Sequence, residues 1–178
     1  MPKKIIPCPR VSRGQCFETY TIPCGLPTPN PCCPSRTNKV QTFTTGAIWR
    51  NPATETIVTT VLNESDASQT VTVSVLDWQS CAQSEMPKEA FLCGEDLNSL
   101  FNGIPTPFTF TIPANKLLVV QATPQNPWQP GDPCYEVRVT IPGDPCRVNT
   151  WGIDAGGIPQ VGNTVLHHQF TLSPGDPI

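Results

Sequence analysis

The sequence predicts an all-β protein, an eight-stranded jelly-roll β-sandwich that follows an extended N-terminal arm rich in cysteine and proline. From Val40 onward, short runs of Val, Ile, Thr and aromatic residues are separated by Gly, Pro, Asn and Asp, as in all-β proteins. The 22 prolines among 178 residues are more than twice the usual share and disfavour long helices.

Residues 1–39 are predicted to be a flexible connector, because their short apolar clusters cannot bury enough surface to offset the entropy of ordering. Their cysteines are Cys8, Cys16, Cys24, Cys32 and Cys33. The last two are adjacent in NPCCPSR, residues 30–36, and adjacent cysteines rarely bridge each other because the ring is strained. They are better placed to bind two separate sites. The extended arm spans at most ~110 Å, against ~40 Å for the body, so it can reach neighbouring molecules.

Residues 40–178 are predicted to form the sandwich. The expected strands cover 41–50, 54–62, 70–78, 107–112, 115–123, 134–141, 147–153 and 162–172. Strands without helices between most of them favour two packed sheets over a parallel α/β layout. An immunoglobulin-like sandwich is the second choice, because the cysteine pair that marks the core of antibody domains is missing from the strand interiors.

A long insert at about 79–106 separates the third and fourth predicted strands. Its portion EAFLCGEDLNSLF is expected to form a short helix or helical turns. Cys81 and Cys93 lie in this insert, twelve residues apart. A bridge between them would staple the loop and contribute roughly 3 kcal/mol.

Two further cysteines, Cys134 and Cys146, bracket the strand YEVRVTI. One thiol at each end of a straight strand cannot easily pair with the other, so each needs a different partner or stays free. Each follows a Gly-Asp-Pro tripeptide, which we interpret as a turn rather than a calcium ligand set.

The sequence does not indicate an enzyme, and no cofactor is expected. It contains no G-x-S-x-G, P-loop, G-x-G-x-x-G or H-E-x-x-H motif. His167 and His168 are predicted to point to opposite faces of the last strand. No C-x2-C pair supports a metal site. A net charge of −3 without a basic stripe argues against nucleic acid, and no apolar run is long enough for a membrane span or a secretory signal peptide.

The chain resembles the endospore appendage (Ena) pilus subunits of spore-forming bacilli. The resemblance lies in the CC pair of a Cys-rich N-terminal connector and in the body texture GAIWRNPATETIVTTVLN, TVTVSVLDW, CYEVRVTIP and GNTVLHHQF. It implies jelly-roll subunits that polymerise edge to edge into fibres, with connectors disulfide-bonded to earlier subunits. It also implies synthesis without a signal peptide and oxidation later, at the spore surface.

The resemblance assigns the connector role to Cys32 and Cys33, with Cys8, Cys16 and Cys24 as further donors. The chain departs from the family pattern because its first and eighth predicted strands contain no acceptor cysteine. Cys134 and Cys146 are therefore our own candidates for acceptors, from their position at the strand ends. The expected partners are copies of the same chain in a homopolymer, with other spore-surface proteins as a further option.

Two alternatives remain open. A surface or secreted carbohydrate-binding β-sandwich would use Trp128 as an exposed aromatic, with the arm stapled internally. Trp49, Trp78 and Trp151 are instead expected to pack in the core or at its rim. A hydrolase on a β scaffold is the least favoured, because the sequence does not indicate a group of acid, base and nucleophile residues.

Overall fold

Two antiparallel β-sheets pack face to face in the computed structural model, which describes residues 40–78, 83–98, 103, 105–124, 134–142 and 146–173. The strands are β1 (Val40–Thr44), β2 (Ile48–Trp49), β3 (Thr56–Asn63), β4 (Gln69–Asp77), β5 (Ser84–Glu85), β6 (Lys88–Leu92), β7 (Glu95–Asp96), β8 (Phe108–Ile112), β9 (Leu117–Ala122), β10 (Cys134–Pro142), β11 (Cys146–Ile153) and β12 (Thr171–Leu172). The predicted all-β sandwich is confirmed.

The first sheet, sheet A, has the order β12-β1-β10-β4, and β4 then pairs with both β5 and β8. β2 pairs with β10 beyond the end of β1, so β1 and β2 form one strand interrupted at residues 45–47. The second sheet, sheet B, has the order β11-β3-β9-β6-β7. The contacts group Asn38–Ile178 into one unit.

The core lies between the sheets, and period-two alternation determines which residues enter it. In β10 every second residue is apolar and buried, and the same holds for β4. Sheet B contributes the opposing apolar side chains. The main contributors are Val71, Val73, Val75, Tyr135, Val137, Val139 and Ile141 from sheet A, and Ile57, Val61, Leu118, Val120 and Val148 from sheet B. The predicted alternation of these strands is confirmed.

The expected helical turns in the insert are wrong over residues 89–96, where β6 and β7 form a hairpin. Its two-residue loop is Cys93-Gly94, and both residues have positive φ, 49° and 91°. That is the backbone of a type I′ turn, which matches the twist of the flanking strands. β6 also pairs along its length with β9, and this ladder overrides the helix-forming composition of the segment.

The predicted last strand, 162–172, is also wrong as a single strand. Val165 makes an isolated bridge to Thr150, a single 3-10 turn follows at His167–Gln169, and only Thr171–Leu172 pair as β12. Side-chain hydrogen bonds replace the ladder: the Val148 N–H donates to His167 Nδ1 at 3.2 Å, and the His167 N–H donates to Asn149 Oδ1 at 3.0 Å. The two histidines therefore do not alternate across a sheet.

Candidate functional site

Most of the predicted crosslinking cysteines lie outside the described residues. These are Cys8, Cys16, Cys24, Cys32, Cys33 and Cys81. The donor roles and the Cys81–Cys93 bridge therefore stay predictions. The described cysteines are Cys93, exposed in the β6–β7 turn, Cys134, half-buried, and Cys146, buried.

Cys134 and Cys146 lie at opposite ends of the sandwich. Cys134 begins β10 beside Trp49, at the end of sheet A where β4 finishes. Cys146 pairs with Asn63, whose side-chain amide donates to the Ile112 carbonyl at the end where β4 begins. The nine residues of β10 span about 27 Å, far more than the 4.4–6.8 Å between Cα atoms of a disulfide. The two thiols cannot bridge each other in this fold.

The Cys134 thiol sits in a row that runs across the strands on the outer face of sheet A. Trp49 is its cross-strand partner in β2. On the other side, the Trp78 N–H donates to the Cys134 carbonyl at 3.0 Å. Directly opposite residues project to the same face with Cβ atoms about 4.5–5.5 Å apart, so Cys134 has a tryptophan on the strand to either side. We call Trp49, Cys134 and Trp78 the aromatic row.

The members of the aromatic row differ in exposure. Trp49 is 59% exposed, which contradicts a core position for this ring, whereas Trp78 is half-buried. Burial raises the pKa of the Cys134 thiol, so at neutral pH it is held as the thiol rather than the thiolate nucleophile.

Glu136, two residues along β10 from Cys134, is fully engaged. Thr44 Oγ1 donates to its carboxylate at 2.6 Å and Trp78 Nε1 at 3.1 Å. Arg138 contributes two further hydrogen bonds, from Nε at 2.8 Å and from Nη2 at 3.0 Å. Burial opposes ionisation, but the hydrogen bonds and charge of these neighbours outweigh it and lower the pKa of Glu136. The carboxylate orients Trp78 and is not placed to act as a base toward the thiol.

Asn163 fixes the backbone of Trp49 and is 2% exposed. Its Nδ2 donates to the Trp49 carbonyl at 2.8 Å, and its Oδ1 accepts from the Thr54 hydroxyl at 2.7 Å and from the Asn51 N–H at 3.1 Å. The buried Tyr135 hydroxyl donates to the Asn163 carbonyl at 3.2 Å. Sequence reasoning missed this residue, since the partners of its side chain are over 100 positions away in the chain and no local motif marks it.

Cys146 has a different environment from Cys134. It is 2% exposed and belongs to the apolar core cluster. A crosslink to Cys146 would have to draw this side chain out of the core, whereas Cys134 already reaches the surface. The geometry therefore ranks Cys134 ahead of Cys146 as an acceptor.

A buried ion pair, also missed by sequence reasoning, lies at the start of the insert. The Lys88 ammonium contacts Glu85 and donates to the carbonyls of Met86 at 2.8 Å and Thr106 at 3.1 Å. Burial lowers the pKa of Lys88, opposed by its hydrogen bond and charge contact with Glu85. Glu85 also accepts the Val75 N–H at 2.9 Å. These bonds tie the insert to β4, so the two charged side chains have a structural role.

The remaining candidates that lie within the described residues give no second site. His167 is half-buried and engaged with the backbone, and His168 is exposed. Trp128 and the three Gly-Asp-Pro tripeptides lie outside the described residues. Over the ranges that the structure describes, no three His, Cys, Asp or Glu side chains are grouped closely enough to hold a metal ion. In the same ranges, no helix has the length and apolar character to cross a membrane.

Comparison of the chain with protein-family models, with curated proteins and with solved structures finds no match.

Proposed function

We propose that this chain is a non-enzymatic structural subunit of a disulfide-crosslinked extracellular fibre. In this proposal, subunits associate through their sheet edges, and the N-terminal arm of one subunit is bonded to the body of another. The resemblance to endospore appendage subunits supports a homopolymer at the spore surface as part of this proposal.

The observation that carries the proposal is the distance between the start of the body and Cys134. Val40 is opposite Pro142 and Trp49 is opposite Cys134, so the body begins about 27 Å from the Cys134 end of β10. β1 also runs from Val40 toward that end. An arm that returned along the sheet would first have to reverse direction, which takes at least a four-residue turn.

After such a turn, the arm is too short for its last two cysteines to reach Cys134 of their own chain. If residues 37–40 made the reversal, about 14 Å of extended chain would remain to Cys33 and about 18 Å to Cys32. Neither length covers about 27 Å, even with the span of a disulfide added. A bond from the CC pair to Cys134 therefore joins two chains.

A jelly-roll topology is part of the proposal, and the strand order supports it. Taking β1 with β2 as the first strand, and then β3, β4 and β6 to β10 in order, gives eight strands. A jelly-roll pairs first with eighth, eighth with third and third with sixth, and in its other sheet second with seventh, seventh with fourth and fourth with fifth. Sheets A and B follow this order, with β12 added beside the first strand and β11 beside the second.

Open sheets also supply the means of association. A sandwich, unlike a closed barrel, ends in outermost strands that can receive a strand from another molecule. In sheet A those strands are β12, β5 and β8, and in sheet B the strand is β7, because the outer edge of β11 is already hydrogen-bonded to residues 160–167. β5, β7 and β12 have two residues each, and both residues of β12, Thr171 and Leu172, are exposed.

The crosslink itself needs an oxidant, and dioxygen at the cell exterior is the simplest. Two thiols lose two electrons and two protons to form one S–S bond, and dioxygen accepts them to give hydrogen peroxide. A low-molecular-weight disulfide can replace dioxygen and leaves as two thiols.

Isotope mixing tests the proposal. Full-length protein, half of it labelled with nitrogen-15, is mixed in reductant, oxidised, digested without reduction and analysed by mass spectrometry. We expect peptides that join Cys32 or Cys33 of one isotope to Cys134 of the other, and ladders on non-reducing gels. Cys134→Ser should remove this linkage, whereas Cys93→Ser should leave it. Bridges that join only peptides of the same isotope would refute the fibre.

A carbohydrate-binding surface is a second candidate, because Trp49 is a well-exposed indole. Exposed aromatic rings are the usual platform for sugars, through stacking on the apolar face of the pyranose. Retention of reduced, full-length protein on insoluble polysaccharides that is lost in Trp49→Ala would favour it. Equal passage of both proteins through the column would remove it.

A further inference from the structure

We propose that the aromatic row is a docking surface for the segment Pro31-Cys32-Cys33-Pro34 of a second copy, bound as a polyproline II helix before any disulfide forms. This inference rests on the proposed function and names the ligand of its acceptor site.

The first support is the match between two spacings. Polyproline II has three residues per turn and a rise of about 3.1 Å, so Pro31 and Pro34 lie on one edge of the helix about 9.3 Å apart. Trp49 and Trp78 lie one strand to either side of Cys134, which places their Cα atoms about 9.6 Å apart across the sheet. A segment lying across the strands would set one proline on each indole.

The second support is the position of the sulfur atoms. In the aromatic row Cys134 lies on the strand between the two tryptophans, and in the segment the cysteines lie between the two prolines. A polyproline II helix rests on a surface with two of its three edges, one of which carries both prolines. The second edge brings one cysteine to Cys134 and leaves the other directed away, free to bond elsewhere.

The third support is the chemistry of recognition. Aromatic side chains bind proline-rich segments in preformed grooves, since such segments lose little conformational entropy on docking. Trp49 offers most of its surface, and Trp78 is held in place by the hydrogen bond from its Nε1 to Glu136. Own-chain docking is excluded by the same reach argument that applies to the disulfide, so the occupant is another molecule.

The test is the initial rate at which the mixed-isotope Cys134 linkage appears in a glutathione redox buffer with full-length protein. Trp49→Ala should slow it about fivefold, the size of one lost aromatic contact. Pro31→Ala combined with Pro34→Ala removes both proline contacts and should slow it about 25-fold. Inserting one alanine between Cys33 and Pro34 keeps both prolines but changes their spacing, so that only one can contact a ring, and should slow it about fivefold.

Three controls separate docking from general damage. Trp49→Phe retains a ring and should keep most of the rate, and Leu117→Ala removes an exposed apolar side chain from sheet B and should change nothing. Adding Trp49→Ala to the two proline substitutions should cause no further slowing, because the contact that it removes is already lost.

The docking surface would be overturned by a wild-type rate in Trp49→Ala. It would also be overturned if the slowing factors of Trp49→Ala and of the proline substitutions multiplied in the combined variant. Either result would leave the crosslinked fibre in place. If wild-type protein forms no mixed-isotope linkage at all, the proposed function fails with it. The two failures are therefore distinguishable.

Discussion

Removing the Asn163 side chain should destabilise the end of the sandwich that carries the aromatic row. In Asn163→Ala the Trp49 carbonyl, the Thr54 hydroxyl and the Asn51 N–H each lose a hydrogen bond. Each intramolecular bond contributes about 1 kcal/mol net, and the buried Thr54 hydroxyl costs more when left unsatisfied. The sum is about 3–4 kcal/mol, a large share of the stability of an ordinary domain.

The assay is urea unfolding in reductant, so that disulfides do not contribute, monitored by tryptophan fluorescence and circular dichroism. For a body of this size, the loss of about 3–4 kcal/mol of stability corresponds in thermal unfolding to a fall in Tm of about 10 °C. Asn51→Ala is the matched control: it removes the same kind of side chain from a residue that is hydrogen-bonded to Asn163, but its exposed bond to the Ala53 N–H is worth less than ~1 kcal/mol. Equal stability of the two variants would show that the Asn163 network does not support this end.

Three further outcomes are expected. Gly152→Ala should destabilise the same end by about 1–3 kcal/mol, because its Cβ would stand 2.8 Å from the Thr54 side chain; unchanged urea unfolding would contradict this. The pKa of Glu136 is lowered in the folded protein, so its contribution to stability is present above the unfolded pKa near 4.5 and is lost as pH falls through the folded pKa. Glu136→Gln should therefore weaken the pH dependence of stability below pH 4.5. An unchanged pH dependence in this variant would contradict the prediction. In native reduced protein, iodoacetamide should modify exposed Cys93 faster than half-buried Cys134, whose thiol has a raised pKa; peptide mass spectrometry that finds the reverse order would refute the burial argument.

The strands that pair in the middle of the sheets were predictable because their signal is local. In β10 every second residue from Tyr135 to Ile141 is Val, Ile or Tyr, in β4 every second residue from Val71 to Val75 is Val, and one face of each strand enters the core. The predicted boundaries of β10 differ from the observed ones by a single residue, because Cys134 follows a turn signal and Pro142 precedes one.

The missed elements depend on contacts that no local pattern carries. The stretch KEAFL has good helix formers, yet it is a strand because β9 pairs with it. The turn that follows was also not predictable, because Cys93 adopts a left-handed conformation that is unusual for cysteine. The aromatic row required the register between three strands. Trp49, Cys134 and Trp78 are separated by up to 85 positions, so the sequence could suggest a thiol with an outside partner but not the rings beside it.

The position of the thiols bears on how a crosslinked sandwich keeps its fold. A bridge to Cys134 uses a side chain at the edge of the outer face, so the core residues Tyr135 and Val137 keep their packing. A bridge to Cys146 would expose a core side chain and leave a cavity between β11 and β3, a cost of about 1–3 kcal/mol. If oxidation proceeds on folded subunits, Cys134 must therefore react before Cys146. Quenching the oxidation at increasing times and mapping the linkages orders the two directly, and a Cys146 linkage that forms first would mean that the arm binds before the body closes around that residue.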